Sequence, residues 1–178
     1  MFMRLFIALS IPEKIREILY EKAENLKKKE LFNGKITEEE NIHLTLKFLG
    51  DIQEDALEAI IKRLGEIKMN KISVIIGNFG VFDEKFVRII WVKLLGIDEL
   101  QKEVDRSLRG LFQQEDRFMS HITIARLKSV KEKRSLIDEI KNIKLSNIKF
   151  QVDSFELMKS ELNKEGADYS VVEKFELF

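Results

Sequence analysis

The sequence lacks cysteine altogether and has a single proline among its 178 residues. The absence of cysteine excludes disulfides, thiolate nucleophiles and zinc sites built on sulfur. A cationic excess is also missing, because 31 basic and 31 acidic residues cancel. Proteins that wrap many phosphates usually carry such an excess. Any contact with nucleic acid is therefore expected to be local, such as recognition of the end of a strand.

Long apolar runs and Pro/Gly-rich linkers are also missing, although apolar residues make up 44% of the chain. This composition predicts a folded protein of one domain, or of two small lobes that share a core. The alternating strand that follows Met1 is too short for a signal peptide or a membrane span. We therefore expect a cytoplasmic monomer with no membrane attachment and no obligate protein partner.

Four helices are predicted from apolar residues at helical spacing, each preceded by a capping-box pair. The pairs are Ser10 with Glu13, Asp51 with Glu54, Asp98 with Gln101, and Ser129 with Glu132. Six β-rich runs alternate with these helices: 4–9, 42–49, 72–82, 88–95, 121–127 and 148–158. A last run, 169–178, is predicted to be an extra strand.

The two halves of the chain have the same order of elements: strand, helix, strand, helix, strand. The sequence His43-Leu-Thr-Leu in the first half matches His121-Ile-Thr-Ile in the second. This pattern predicts one domain over 1–178 with an internal duplication, approximately 1–84 and 85–178. Two lobes related by a pseudo-two-fold axis would result.

His43 and His121 are the only histidines in the chain, and each is followed two residues later by threonine. Because side chains at i and i+2 share one face of a strand, His43 lies with Thr45 and His121 with Thr123. A single such pair could be a buried histidine bound to a hydroxyl. Two pairs at matching positions instead indicate two side-chain sets that converge on one groove.

The same alternation places two further residues of the first histidine strand. Phe48 is predicted to face the core with Leu44 and Leu46. Lys47 is predicted on the face of the histidine, either lining the groove or solvated.

Histidine has an ordinary pKa near 6.5, so a pair of them can supply the base and the acid of an in-line displacement at phosphorus. Threonine hydroxyls can donate to the non-bridging oxygens as charge builds there. Metal binding is the weaker alternative. A structural zinc site needs two more ligands and a catalytic site usually a third, and no carboxylate is placed to supply one.

The stretches His43-Leu-Thr-Leu-Lys-Phe-Leu-Gly and His121-Ile-Thr-Ile-Ala-Arg resemble the two H-x-T-x signatures of the 2H phosphoesterases. Arg4-Leu-Phe-Ile-Ala-Leu, Ile90-Trp-Val and Gly166-Ala-x-Tyr169 are similar to other stretches of one branch. That branch is the RNA 2′,3′-cyclic phosphodiesterase, or 2′-5′ RNA ligase (LigT-like), family. One departure is Ser120, where members often carry a proline that shapes the strand entry and does no chemistry.

The resemblance implies an α+β fold of two pseudo-two-fold-related lobes, each a sheet with helices, flanking a central cleft. It implies hydrolysis of RNA 2′,3′-cyclic phosphodiester ends to 2′-phosphomonoesters, with His43 as proton donor and His121 as proton acceptor. The reverse reaction would be 2′-5′ ligation without ATP. Thr45, Thr123 and Arg126 are expected to bind the phosphate, and neither a metal nor another cofactor is implied. The partners would be RNA ends, such as those of tRNA halves, or cyclic nucleotides.

Two other functions remain open at this point. The first is a phosphodiesterase for small cyclic nucleotides or cyclic ADP-ribose phosphates, and the second is a nucleotide- or RNA-binding module without turnover. The two intact motifs argue against the binding module. Arg4 and Arg88 could be cleft cations or surface charges. Four aromatic residues could stack a base or belong to the core: Phe48, Phe79, Phe118 and Trp91.

Overall fold

The computed structural model describes residues 2–145, 147–162 and 167–178, which form nine strands and four helices. The strands are β1 (Phe2–Ser10), β2 (Phe32–Ile36), β3 (His43–Gln53), β4 (Ile72–Val81), β5 (Ile89–Leu95), β6 (His121–Val130), β7 (Lys149–Val152), β8 (Ser154–Leu162) and β9 (Ala167–Glu176). The helices are α1 (Glu13–Lys27), α2 (Leu57–Gly65), α3 (Asp98–Ser107) and α4 (Lys133–Asn142). The predicted α+β class is confirmed.

The strands form one antiparallel sheet that is nearly divided in the middle. Its order is β7-β4-β5-β6-β3-β1-β8-β9, with β2 also beside β6. The central strands β3 and β6 pair only at Leu44 and Ile122. The sheet therefore consists of two lobes that join at this point, as the bilobal prediction requires. One lobe holds β3, β1, β8 and β9, and the other holds β2, β6, β5, β4 and β7.

Each lobe takes elements from both halves of the sequence. In one lobe β1 pairs with β8, and in the other β5 pairs with β4. The helices are exchanged in the same way, since α1 packs on β2 and β6 whereas α3 packs on β3. The halves 1–84 and 85–178 therefore do not coincide with the lobes, and the internal duplication stays a prediction.

The apolar faces predicted for the helices are buried against the sheet. One completely buried leucine in each helix illustrates this: Leu19, Leu64, Leu100 and Leu136. Burial of each such side chain stabilises the fold by about 1.5–3 kcal/mol. Ile18 in α1 and Leu111 beyond the end of α3 continue the apolar spacing in the sequence but are exposed.

The four predicted capping pairs are wrong. The residues at the N-cap positions are Pro12, Ala56, Ile97 and Glu132, and none makes a side-chain capping hydrogen bond. Three predicted caps instead bind side chains of neighbouring strands: Ser10 donates to Glu156, Asp51 accepts from Arg4, and Ser129 accepts from Asn33. The fourth, Asp98, is already the first residue of α3. Pairing between strands thus takes precedence over local capping.

Two strand assignments also differ from the prediction. The run 148–158 is divided at Asp153 into β7, which pairs with β4, and β8, which pairs with β1. The strand β2 was not predicted, because its Asn33-Gly34 sequence is typical of a turn. The extra C-terminal strand is confirmed as β9, which pairs with β8. Gly166, part of the predicted family resemblance, lies outside the described residues.

Candidate active site

A cleft of about 650 Å³ lies between the lobes where β3 and β6 diverge. Its lining includes all five residues predicted for the site: His43, Thr45, His121, Thr123 and Arg126. The pairing of Leu44 with Ile122 explains why they meet. In an antiparallel pair, the residues on either side of this point bring His43 toward Thr123 and His121 toward Thr45.

Both imidazoles are held through the same backbone contact. Nδ1 of His43 lies 2.7 Å from the carbonyl oxygen of Asn41, and Nδ1 of His121 lies 2.6 Å from that of Met119. A carbonyl oxygen only accepts, so each Nδ1 carries a proton and donates it. In the neutral ring, Nε2 is then the unprotonated nitrogen that is available to the cleft. Nε2 of His43 lies 3.2 Å from Oγ1 of Thr45.

Aromatic rings surround the two histidines. The ring of His43 lies 5.2 Å from the rings of Phe6 and Tyr169, and the ring of His121 lies 4.9 Å from that of Phe82. These three aromatic contacts were missed. Cross-strand register could have indicated Phe6, since β1 neighbours β3. Phe82 and Tyr169 arrive from distant segments. Tyr169 belongs to a stretch that carries the family resemblance, whereas no local pattern marks Phe82.

The pKa of His43 is lowered from its ordinary value. Burial is the largest cause, and the positive charges of Arg126 and His121 act in the same direction. The hydrogen bond to the carbonyl of Asn41 opposes them but does not compensate. In the free protein, His43 is therefore biased toward its neutral form.

A β-bulge in β3 overturns the prediction that Phe48 faces the core. Opposite β1, Leu46 is an extra residue between the pairs formed by Thr45 and Lys47. The alternation therefore reverses. Phe48, predicted in the core, is 75% exposed and lines the cleft, whereas Lys47 is buried and ion-paired with Asp105. Lys47 is thus not solvated. It is among the residues that line the cleft, which was the other of its two predicted states.

A matching bulge occurs in β6. Opposite β5, Ile124 is the extra residue between the pairs formed by Thr123 and Ala125. The next side chain, Arg126, is exposed and lines the cleft. Phe48 of β3 and Arg126 of β6 thus follow the two bulges at equivalent positions, although their side chains differ in chemistry.

The residues whose roles the sequence left undecided lie in different parts of the structure. Arg4 lies at the cleft and binds Asp51, whereas Arg88 donates to the carbonyl of Lys128 and is not among the cleft residues. The four aromatic candidates also separate: Phe48 and Phe118 line the cleft, Phe79 is in the core, and Trp91 is half-buried outside the cleft lining. Ser120 is completely buried, and its hydroxyl donates to the carbonyl of Leu94 at 2.5 Å.

Over residues 2–145, 147–162 and 167–178, no group of three or more histidines and carboxylates is arranged to hold a metal ion. In the same described residues, no helix is both long and apolar enough to cross a membrane.

The fold and site define a class of protein: two lobes of sheet and helix, with one H-x-T-x strand from each facing a common cleft. The family model described as LigT like Phosphoesterase matches residues 9–91 and 95–169. The chain belongs to this family.

Curated relatives extend over nearly the whole chain. The RNA 2′,3′-cyclic phosphodiesterase of Methanocaldococcus jannaschii is 33% identical over 178 residues, which cover 97% of this chain and 100% of that protein. The protein of the same name from Thermotoga maritima is 32% identical over 177 residues, covering 96% of this chain and 93% of that protein.

Solved structures share the fold. The crystal structure of TT0787 from Thermus thermophilus is 25% identical with a TM-score of 0.79, covering 98% of this chain and 97% of that one. E. coli LigT complexed with phosphate is 21% identical with a TM-score of 0.74, covering 99% and 98%. E. coli LigT complexed with 3′-AMP is 23% identical with a TM-score of 0.73, covering 99% of each chain.

Proposed function

We propose that this chain hydrolyses 2′,3′-cyclic phosphodiester ends of RNA to 2′-phosphomonoesters. The observation that carries the proposal is the pair of imidazoles in one cleft, each held at Nδ1 by a backbone carbonyl. This arrangement offers two Nε2 atoms for proton transfer. The curated relatives named RNA 2′,3′-cyclic phosphodiesterase support the choice of substrate.

In the proposed reaction the cyclic phosphate lies between the two histidines. His121 accepts a proton from water as the water oxygen bonds to phosphorus, and the bond from phosphorus to the 3′ oxygen breaks. His43 donates a proton to that 3′ oxygen, which leaves a 2′-phosphomonoester and a 3′-hydroxyl. The hydroxyls of Thr45 and Thr123 and the guanidinium of Arg126 donate to the non-bridging oxygens.

The proton that His43 donates must be present in the complex, although the pKa of His43 is lowered in the free protein. A bound cyclic phosphate carries a negative charge. It would offset the repulsion from Arg126 and His121 and raise the pKa of His43 again. The assignment of His43 as acid follows the family resemblance, because the two matching motifs favour neither histidine.

Ligation would use the same site. If a 5′-hydroxyl took the place of water, its oxygen would bond to phosphorus and the 3′ oxygen would leave as before. The product would be a 2′-5′ linkage, and the strained cyclic ester would make ATP unnecessary. The exposed ring of Phe48 and the cleft-lining ring of Phe118 could stack bases without reading their sequence.

A second candidate is hydrolysis of a small cyclic nucleotide. The observation in its favour is the volume of the cleft, about 650 Å³, which lies within the ordinary range of small-molecule sites. Turnover as a function of substrate length separates this candidate from action on RNA ends.

The assigned roles can be tested with a leaving group that needs no acid. A dinucleotide with a 2′,3′-cyclic end is compared with an analogue in which sulfur replaces the bridging 3′ oxygen, because a thiolate departs without a proton. We expect His43→Ala to lower turnover of the oxygen substrate about 10²–10⁴-fold and to affect the sulfur substrate little. His121→Ala should impair both substrates alike.

The opposite pattern would exchange the roles of the two histidines. Near-normal turnover of the oxygen substrate by either variant would contradict the paired mechanism.

A further inference from the structure

A buried polar network lies beside the cleft, centred on Lys47 and Asp105. Nζ of Lys47 lies 2.5 Å from Oδ1 of Asp105, and it also donates to the carbonyl oxygen of Gln113 at 2.7 Å. The two charged side chains are only 6% and 3% exposed. Lys47 belongs to β3, four residues after His43, whereas Asp105 belongs to α3 of the second half.

The carboxylate of Asp105 has two further donors. Oδ2 accepts from Nε2 of Gln101 at 2.8 Å and from the backbone N–H of Glu115 at 3.0 Å. Burial by itself would raise the pKa of Asp105, but the hydrogen bonds from Lys47, the Glu115 N–H and Gln101 hold that pKa below its usual range. The carboxylate of Asp105 is therefore charged at neutral pH, and both of its oxygens accept hydrogen bonds.

The network fixes a segment that contains neither helix nor strand, residues 113–119. Lys47 holds the segment at Gln113, and Asp105 holds it at Glu115. The segment ends at Met119, whose carbonyl orients the ring of His121. Four of its residues line the cleft: Glu115, Arg117, Phe118 and Met119.

Stability alone does not account for this pair. A buried ion pair contributes little more than well-packed apolar side chains of similar volume, because both charges lose their hydration. The equivalent position after the bulge in β6 is Ala125, which is buried and apolar. The strand geometry therefore does not require a charge at Lys47.

We propose that Lys47 and Asp105 are positioning residues, which couple the strand of His43 to the segment that orients His121. By holding residues 113–119, they set the ring of His121 and one wall of the cleft relative to His43. The expected effect on turnover rests on the proposed function. The effects on the histidine ring and on the segment do not.

The main test replaces both charges at once, with Lys47→Met and Asp105→Leu in one chain, so that no unpaired charge stays buried. We expect kcat on the cyclic dinucleotide to fall about 10²-fold, the loss typical of a misplacement near 1 Å. Nitrogen-15 spectra should show that His121 no longer keeps one tautomer, while His43 keeps its own. Amide hydrogen exchange should accelerate in residues 115–119.

A matched control removes a different side-chain contact to the chain that connects α3 to β6. Nη1 of Arg63 donates to the carbonyl of Arg109 at 2.7 Å, outside the segment 113–119. We expect Arg63→Ala to leave kcat, the tautomer of His121 and exchange in residues 115–119 unchanged. An effect equal to that of the double variant would overturn the proposal.

A second variant keeps the proposal testable if the double variant does not fold. Glu115→Pro removes the N–H that binds Asp105, whereas Glu115→Ala removes the side chain and keeps that N–H. We expect the proline variant to disturb the His121 tautomer and lower kcat. The alanine variant, which loses only the side chain that accepts from the N–H of Arg117, should keep the His121 tautomer. If the folded variants that break the network leave the tautomer and the exchange rates of residues 115–119 as in the wild type, Lys47 and Asp105 are not positioning residues.

Because the tautomer and exchange measurements need no substrate, they separate the two proposals. A wild-type protein without turnover of cyclic phosphates would refute the proposed function while leaving this test intact.

Discussion

His43 is proposed to donate a proton, yet it lies among aromatic rings. Burial, followed by the charges of Arg126 and His121, lowers its pKa in the folded protein. In the unfolded chain the pKa returns to about 6.5. Between the two values the unfolded state binds more protons than the folded state. The contribution of His43 to stability is therefore fully present above about pH 6.5 and is lost as the pH falls through this window.

Urea unfolding at a series of pH values tests this linkage. We expect the free energy of unfolding of the wild type to decline below about pH 6.5, and His43→Gln, which cannot titrate, to show a smaller decline. Parallel curves for the two proteins would contradict the lowered pKa of His43.

The location of single residues at the cleft was predictable where a motif marked them. The two histidines and their threonines were found because each His-x-Thr sequence occurs at the same place in a repeated pattern. The tautomer of each ring was not predictable, because it depends on the carbonyls of Asn41 and Met119. Asp105 was missed for a related reason: its partner Lys47 is distant in sequence, and no local pattern pairs the two residues.

At the scale of elements, periodicity predicted the four helices and most strands, but not the pairing between strands. The bulges at Leu46 and Ile124 exist only relative to the neighbouring strands β1 and β5. No pattern within β3 or β6 indicates them, and one extra residue is enough to reverse the alternation. For this reason Phe48 was assigned to the core although it lines the cleft.

The strand β2 illustrates how a close backbone approach decides a residue type. A Cβ atom at Gly34 would lie 2.3 Å from the carbonyl oxygen of Arg126 and 2.8 Å from Cα of Leu127. Both are backbone atoms of β6, so no side-chain rotation relieves the contact. We expect Gly34→Ala to lower the free energy of unfolding by about 1–3 kcal/mol, as overpacking does, in urea unfolding.

Gly65 at the end of α2 is the matched control. The nearest atom to a Cβ there is Cε1 of Phe175 at 4.0 Å, so alanine fits without a clash. We expect Gly65→Ala to be neutral, or stabilising by about 0.5–1 kcal/mol through the lower entropy of the unfolded chain. If Gly34→Ala and Gly65→Ala unfold at the same urea concentration, the close approach of β2 to β6 is not a constraint.

At the scale of the whole molecule, the sequence predicted two lobes and a cleft but not how the chain forms them. The exchange of β4 and β8 between lobes depends on long-range pairing, which hydrophobic pattern does not encode. The exchange has a consequence for the site. The contact between α3 and β3 brings Asp105 of the second half against the strand of His43, so residues of both halves build the lobe.

The balance of charge over the whole chain leads to the last prediction. With 31 basic and 31 acidic residues, the protein has no excess positive charge to follow a long RNA strand. Within the cleft, Arg126 is the residue proposed to bind the phosphate. For single strands, each neutralised phosphate contributes about −0.7 to the slope of log affinity against log salt concentration. We expect a slope close to this value for one phosphate, and a KM that does not improve beyond a dinucleotide.

The measurement compares a cyclic mononucleotide, a dinucleotide and a longer RNA, all ending in a 2′,3′-cyclic phosphate, at several salt concentrations. Stacking of bases on Phe48 and Phe118 is worth about 1–3 kcal/mol for each base, so the dinucleotide should exceed the mononucleotide in kcat/KM. A best rate with the mononucleotide would favour the small cyclic-nucleotide function. A steep salt slope with a steady gain in affinity with length would mean that RNA binds outside the cleft, and recognition limited to the strand end would then be wrong.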